Sequence, residues 1–284
     1  MKKSLIALAL AAGFSAPTAF AQSAPAAESP HTFTGNMSLQ SSYRFRGIDQ
    51  TYGKPALQGG FDYSHSSGIY LGNWNSNVSS GAGFPDGNLE MDFYGGWRTT
   101  FGDFGLDLGA ILYYYPGSQG RGLGINADSG AVTNKEVYIG ASWKTVSLKY
   151  YHSMDDYFSL RGWDSTGAST GKSTKGSHYL DLSASYDLGD GWGINGHIGR
   201  FSARKMANAS YTDWKIGVTK DISGWVIGAS YIGTNASGKC SGASTYQPYC
   251  FAKSIQDDAG VLDLSTSNKD AGRSIVVLSV SKTF

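Results

Sequence analysis

The sequence predicts an all-β fold: a closed antiparallel transmembrane β-barrel of twelve strands, with short periplasmic turns and long extracellular loops. Three observations carry that expectation. Apolar and polar residues alternate with a period of two in one segment after another. The connections between those segments alternate between short and long. The chain also stops in mid-alternation on an aromatic residue, Phe284.

Composition agrees. The 284 residues include 39 glycines and 13% aromatics, and only 16% are charged, well below the roughly 25% usual in soluble domains. With 23 Lys+Arg against 22 Asp+Glu the net charge is +1, which gives no electrostatic footing for a nucleic-acid partner. A mean hydropathy of -0.26 argues against a helical membrane protein.

Residues 1–21 read as a cleaved signal peptide. Lys2 and Lys3 form the charged start, Leu5 to Phe14 the apolar run, and Ala19-Phe20-Ala21 the small-x-small cleavage site. Residues 22–31 are a flexible linker rich in Ala and Pro, and 32–284 form the barrel. No later apolar stretch reaches the roughly 18 residues that a spanning helix needs. An exported chain made of alternating strands is expected in the outer membrane of a Gram-negative bacterium, in contact with its lipid.

The alternating segments lie at about 36–46, 56–65, 69–78, 88–101, 104–115, 135–144, 146–153, 178–188, 192–201, 211–220, 225–234 and 273–284. In the eighth, for example, Leu180, Leu182, Ala184, Tyr186 and Leu188 interleave with Asp181, Ser183, Ser185 and Asp187. Only 69–78 is ambiguous, because its apolar residues Ile69, Tyr70, Leu71 and Trp74 fall on both parities. Short turns are expected at His65–Gly68, Gly102–Asp103, Thr145, Gly189–Gly191 and Asp221–Gly224, with long loops at about 47–55, 79–87, 116–134, 154–177, 202–210 and 235–272. Both termini then fall on the short-turn, periplasmic side.

Aromatics on the apolar parity gather at strand ends, as membrane interfaces require. Tyr63, Phe101, Phe104, Trp143, Tyr186, Trp192 and Trp225 lie beside short turns, while Phe45, Tyr114, Tyr150, Trp214 and Tyr231 lie near long loops. The final strand, RSIVVLSVSKTF, is similar to the terminal signal that barrel-assembly machinery recognises, with Phe284 as its key residue.

Twelve tilted strands about 4.8 Å apart enclose a backbone cylinder roughly 24 Å across, and side chains reduce the opening to about 10 Å or less. The polar parity names the candidate lining: Arg44, Arg46, Asp62, Glu90, Asp92, Arg98, Asp107, Glu136, Lys149, Asp181 and Lys215. These charges suit either a hydrated channel or a plug in which they pair across the lumen. Neither sign dominates, so no strong ion selectivity is expected.

Other motifs carry little. Gly167 to Ser173 (GASTGKS) is a distant likeness of a phosphate loop, but Thr166 stands where a glycine is required and no helix follows. Gly120-Arg-Gly-Leu-Gly124 lacks the setting of a dinucleotide site. The five histidines show no ligand spacing, so neither metal nor other cofactor is expected. His152 with Ser153, and Ser177 with His178, lie near outer strand ends where some barrels hydrolyse lipid, though no third orienting group is identifiable. Cys240 and Cys250, in the longest loop of an exported chain, are expected to form a disulfide.

The stretch YRFRGIDQTYGKPALQGGFDYSHSSGIYLGNWNSNV (43–78) resembles the opening of the TorF-type porins, small proteobacterial outer-membrane proteins. The likeness lies in Tyr43–Gly47, Gly53–Gly60 and Gly68–Trp74, continues through Glu90–Asp92 and Tyr94–Gly96, and loosens beyond about residue 116. The resemblance implies a porin. The expectation is therefore a non-catalytic channel for passive diffusion of small polar solutes. The rivals are a plugged structural or surface-binding barrel using its long loops and, more remotely, an outer-membrane lipid hydrolase. Neither the solute nor the oligomeric state is legible in the sequence.

Overall fold

A computed structural model describes residues 29–79, 87–118, 130–251 and 268–284. The signal peptide, most of the linker and the Gly120–Gly124 motif lie outside these residues, as do parts of three long loops. Twelve strands form one closed antiparallel barrel: β1 (His31–Gln40), β2 (Ala56–His65), β3 (Ile69–Asn77), β4 (Leu89–Phe101), β5 (Phe104–Tyr114), β6 (Thr133–Trp143), β7 (Val146–Ser153), β8 (His178–Gly189), β9 (Trp192–Ser202), β10 (Tyr211–Ile222), β11 (Trp225–Thr234) and β12 (Ile275–Thr283). Among the described residues the only helical element is the 3-10 turn Tyr157–Ser159.

Each strand pairs with its chain neighbour, and β1 closes on β12 with Asn36 opposite Thr283 and Leu39 opposite Val280. Phe284 extends this seam: its N–H donates to the Gly35 carbonyl (2.7 Å) and its carbonyl accepts from the Gly35 N–H (3.1 Å). Closure leaves no sheet edge unpaired, the condition for a sheet to stand in hydrocarbon.

Alternation decides which side chains meet which solvent. Leu57, Phe61, Ile216 and Leu278 point outward and are more than half exposed, while Tyr113, Glu136 and Asp213 point inward and are almost wholly buried. An inside-out distribution of this kind identifies an outer-membrane-type barrel, since water would penalise so large an apolar belt. The aromatics Phe101, Phe104, Trp143, Tyr186, Trp192 and Trp225 form its turn-side girdle. The ambiguity in 69–78 resolves by packing: Tyr70 and Trp74 are buried and inward, leaving Asn73, Asn75 and Asn77 on the outer face.

One strand departs from the sequence expectation. The alternation puts the first strand at 36–46, but β1 occupies His31–Gln40, beginning where His31 pairs with His65. Beyond Ser41 and Ser42 the chain leaves the wall and folds inward as a short hairpin, Arg44–Phe45 paired with Ile48–Asp49. Its turn needs left-handed backbone at Arg46 (φ 47°) and Gly47 (φ 79°). A side chain at 47 would also run into Asp213 on β10 and Thr234 on β11. Phe45 consequently does not belong to the outer girdle; it packs inside against Tyr113 and Phe158 at 5.4 and 5.8 Å between ring centroids.

Candidate functional site

The lumen has three tiers. In the outer half, nearest the long loops, the inward hairpin and the turn Tyr157–Ser159 meet a ring of buried aromatics: Tyr43, Trp74, Tyr113, Tyr151, Tyr179 and Phe201. Arg46 projects from the hairpin to Glu136, three residues inside the outer end of β6, in a two-pronged pair with N–O distances of 2.6 and 3.1 Å. Side-chain exposure is 5% for Arg46 and 0% for Glu136. The guanidinium also lies 4.4 Å from the Tyr179 ring centroid and 5.1 Å from that of Tyr151. A planar cation between ring faces and a carboxylate is held by charge, hydrogen bonding and cation–π attraction together.

Arg44, on the same hairpin, turns to the mouth instead. It donates to the carbonyl of Ala271 (2.8 Å) and faces Asp49 at 3.5 Å. Burial lowers the pKa of its guanidinium, an effect that the Asp49 carboxylate opposes. Burial likewise raises the phenol of Tyr43, reinforced by Glu90, so Tyr43 stays a neutral donor to Glu90 at 3.1 Å. Of the candidate lining, Arg44 and Arg46 find their ion-pair partners in Asp49 and Glu136, not in Asp92. Asp92 and Glu90 instead sit side by side on β4, 1% and 0% exposed. Neither oxygen of the Asp92 carboxylate has a hydrogen-bond partner among the described residues.

The middle of the lumen is a polar lattice between neighbouring and next-but-one strands. Lys149 reaches Asp107 at 2.8 Å, Tyr70 donates to Asp107 at 2.6 Å, and the Lys149 ammonium lies 3.9 Å from the Tyr138 ring centroid. His197 joins Asp181 (2.8 Å) and Asp213 (3.5 Å). Asp62 accepts from Tyr94 at 2.5 Å and from Asn36 at 3.2 Å. Lys215 sits opposite His197 and within electrostatic reach of Asp181, and Arg98 rests over Tyr70 at 5.2 Å. All the strand-borne candidates therefore face inward; apart from Glu136, held by Arg46, and the Glu90–Asp92 couple, they form three separate knots instead of one constellation.

Below this lattice the lumen opens. Arg98, Thr100, Ser185 and Asp187 share the inward parity with buried residues higher on their strands, yet are exposed. A solvated cup thus faces the short turns, and a packed stopper closes the long-loop end. Charged residues alone do not reveal the stopper, which is largely tyrosine. Parity carried the missing signal, since Tyr138 and Tyr179 share sides with Glu136 and Asp181.

The remaining motifs resolve plainly. Ser153 is buried in the lumen, its hydroxyl 3.4 Å from Glu136, whereas neighbouring His152 faces outward to Tyr150 at 3.2 Å. Ser177 donates to the Thr174 carbonyl, and His178 approaches the Gly176 carbonyl. Adjacent residues on a strand face opposite sides, so these Ser/His neighbours do not meet. The phosphate-loop-like stretch falls partly in the hairpin formed by Arg161–Trp163 and Ser169–Ser173. Cys240 and Cys250 form a disulfide with 5.2 Å between Cα atoms. Among the described residues no group of three or more potential ligands converges on a metal position.

Solved structures similar to this chain include the NanC porin, 9% identical over 89% of this chain and 99% of that one, with a TM-score of 0.47. The CymD monoaromatic hydrocarbon channel is 10% identical over 89% and 87%, at 0.42. OmpT of Vibrio cholerae is 10% identical over 89% and 97%, at 0.39. At such scores these likenesses add nothing to what the chain's own geometry says. No protein with a curated description matches. A family model does match, over residues 24–257, and its description names no porin, so the TorF likeness remains a resemblance. The chain belongs to that family, the bacterial proteins of unknown function designated Gcw_chp.

Proposed function

We propose that this chain is an outer-membrane channel for passive diffusion of small polar solutes, closed at rest by its own first loop. It is exported by a signal peptide at 1–21 that is then removed, and it performs no catalysis. The observation that supports this reading is the nature of the closure. The hairpin Arg44–Asp49 supplies no rung to the barrel ladder, and it docks above a hydrated, polar cup. A stopper that is separable from the wall can leave without opening the sheet, as a packed wall cannot.

A second reading, a permanently stoppered structural or surface-binding barrel, is favoured by the near-zero exposure of Tyr113, Glu90 and Asp213. Vesicle-swelling measurements with sugars, amino acids and organic acids separate the two. A variant with residues 43–51 replaced by a short Gly-Ser link should fold as a barrel and admit solutes faster than the native chain. A folded variant that admits none sinks the channel reading and leaves the structural one.

A further inference from the structure

The wall is sorted by charge as well as by polarity. Across the twelve strands no carboxylate stands on the outward parity, whereas the inward parity carries Asp62, Asp107, Glu136 and Asp213 among others. Histidines aside, the outward ionic side chains are all cations: Lys135, Arg200, Lys220 and Lys282. Three of them are engaged. Lys135 pairs with Asp155 at 2.9 Å, while Lys220 and Lys282 lie over the rings of Trp192 and Trp225 at 4.9 and 4.8 Å. Arg200 is exposed, and among the described residues its guanidinium meets only the Thr212 hydroxyl, at 3.3 Å.

Arg200 stands at the long-loop end of β9, two residues before the last, Ser202. A second guanidinium continues the same column. The Arg204 N–H donates to the Ser177 hydroxyl at 3.0 Å, folding the chain beyond β9 over the start of β8. Its side chain then lies along Gly176, where a Cβ would meet Arg204 Nη1 at 3.3 Å and the His152 ring at 3.7 Å. Between the two arginines lies the rung that pairs His178 with Ser202, so no negative group separates them. Arg204 is exposed, and its guanidinium has no carboxylate partner among the described residues. The acids Asp155 and Asp156 of the adjoining loop are held by Lys135 and Arg161, each at 2.9 Å.

What lies beneath these cations selects their ligand. Arg200 pairs with Leu180, and on the next outward rung into the belt Leu182 pairs with Ile198. Leu180, Leu182 and Ile198 are all outward and exposed. A molecule against this face therefore meets apolar side chains below and two guanidinium groups above. A soluble anion matches only the upper half, and an uncharged acyl chain only the lower. The guanidinium fork fits phosphate oxygens in a two-pronged bond, and clusters of such cations at a membrane surface recognise anionic headgroups. We infer that the long-loop rim of β8 and β9 binds a lipid with an anionic phosphate headgroup. The headgroup sits between Arg200 and Arg204, and the acyl chains lie along Leu180, Leu182 and Ile198. This rests on the bilayer placement proposed above but not on conduction.

The test titrates the full mature chain, folded in detergent, with phosphatidic acid and counts bound lipid by native mass spectrometry. The native chain should retain one phosphatidic acid. Arg200→Gln with Arg204→Gln should weaken that binding roughly tenfold or more, as loss of one charge-assisted hydrogen bond would. Lys220→Gln with Lys282→Gln removes the same charge from the turn side and should leave binding within about threefold of native. Heat-modifiable migration checks that each variant is folded. Three results would overturn the inference: unchanged binding by the arginine variant, an equal loss in the lysine variant, or diacylglycerol of the same chains retained as well as phosphatidic acid. Inorganic phosphate displacing the lipid at equal concentration would overturn it too, reassigning the arginines to soluble anions. A barrel that inserts into vesicles yet holds no phosphatidic acid sinks the lipid site alone, whereas failure to insert sinks the bilayer placement.

Discussion

Replacing Arg46 by Ala tests the stopper most directly, because the energy change falls on the docking of the hairpin and not on the barrel ladder. Glu136 would lose its bidentate partner while remaining enclosed by Tyr113 and the buried tyrosine ring. Removing one member of a buried pair costs about 3–5 kcal/mol. Since each 1.4 kcal/mol is tenfold in an equilibrium, the undocked fraction should rise between about a hundredfold and a few thousandfold. Planar-bilayer recording reads that fraction as open probability. Arg46→Ala with Glu136→Gln removes the stranded charge and leaves a buried polar group costing about 1–3 kcal/mol, so the double variant should open less than the single one. A folded Arg46→Ala barrel whose open probability stays within about threefold of native would refute the reasoning. A double variant that opens more than the single would do so equally.

Further outcomes follow from the same geometry. A Cβ at Gly199 would overlap the Tyr179 hydroxyl, which bonds Asp213 and underlies Arg46. Gly199→Ala should therefore cost about 1–3 kcal/mol in urea unfolding from vesicles, and an unchanged midpoint would show that the ring has room to shift. Asp92→Asn should raise the unfolding midpoint, gaining about 1–3 kcal/mol by removing a buried carboxylate with unpartnered oxygens; a lowered midpoint contradicts this. Deleting Phe284 removes its two hydrogen bonds to Gly35 at the β1–β12 seam, so heat-modifiable barrel in the outer membrane should fall sharply; normal levels would exclude a role in closure or assembly. Neither cysteine should alkylate until reductant is added. Opening so small a ring should then cost the loop about 2–3 kcal/mol while leaving barrel migration unchanged.

Much of this protein is written in local pattern. The period of two in segments such as 180–188 follows from the pleat, and the side of each residue follows from whether lipid or lumen surrounds it. Eleven strands therefore lie within about two residues of their expected places, and inward placement of Asp107, Glu136 and Lys149 was legible from parity alone. The failures share one cause. Parity continues smoothly through Tyr43 and Phe45, yet the chain leaves the wall after Gln40, because the neighbouring strand β2 begins only at Ala56, opposite Gln40, and the buried Arg46–Glu136 pair draws the hairpin inward. Residues 46 and 136 are far apart in sequence, and no local signal encodes their meeting. Similarly, the mixed parity of 69–78 leaves the facing of Asn73, Asn75 and Asn77 open, and the burial of Tyr70 and Trp74 in the interior turns them outward.

The one-dimensional alternation of the chain, with its uneven connections, thus determined a twelve-stranded barrel and the lining of its interior. Tertiary structure alone decided that the outer half of the interior is filled, that its charges divide into separate knots, and that Asn73, Asn75 and Asn77 face outward. Strand patterning reports the solvent on each side of one strand. What fills the space between opposite walls depends on contacts between residues that the sequence keeps far apart.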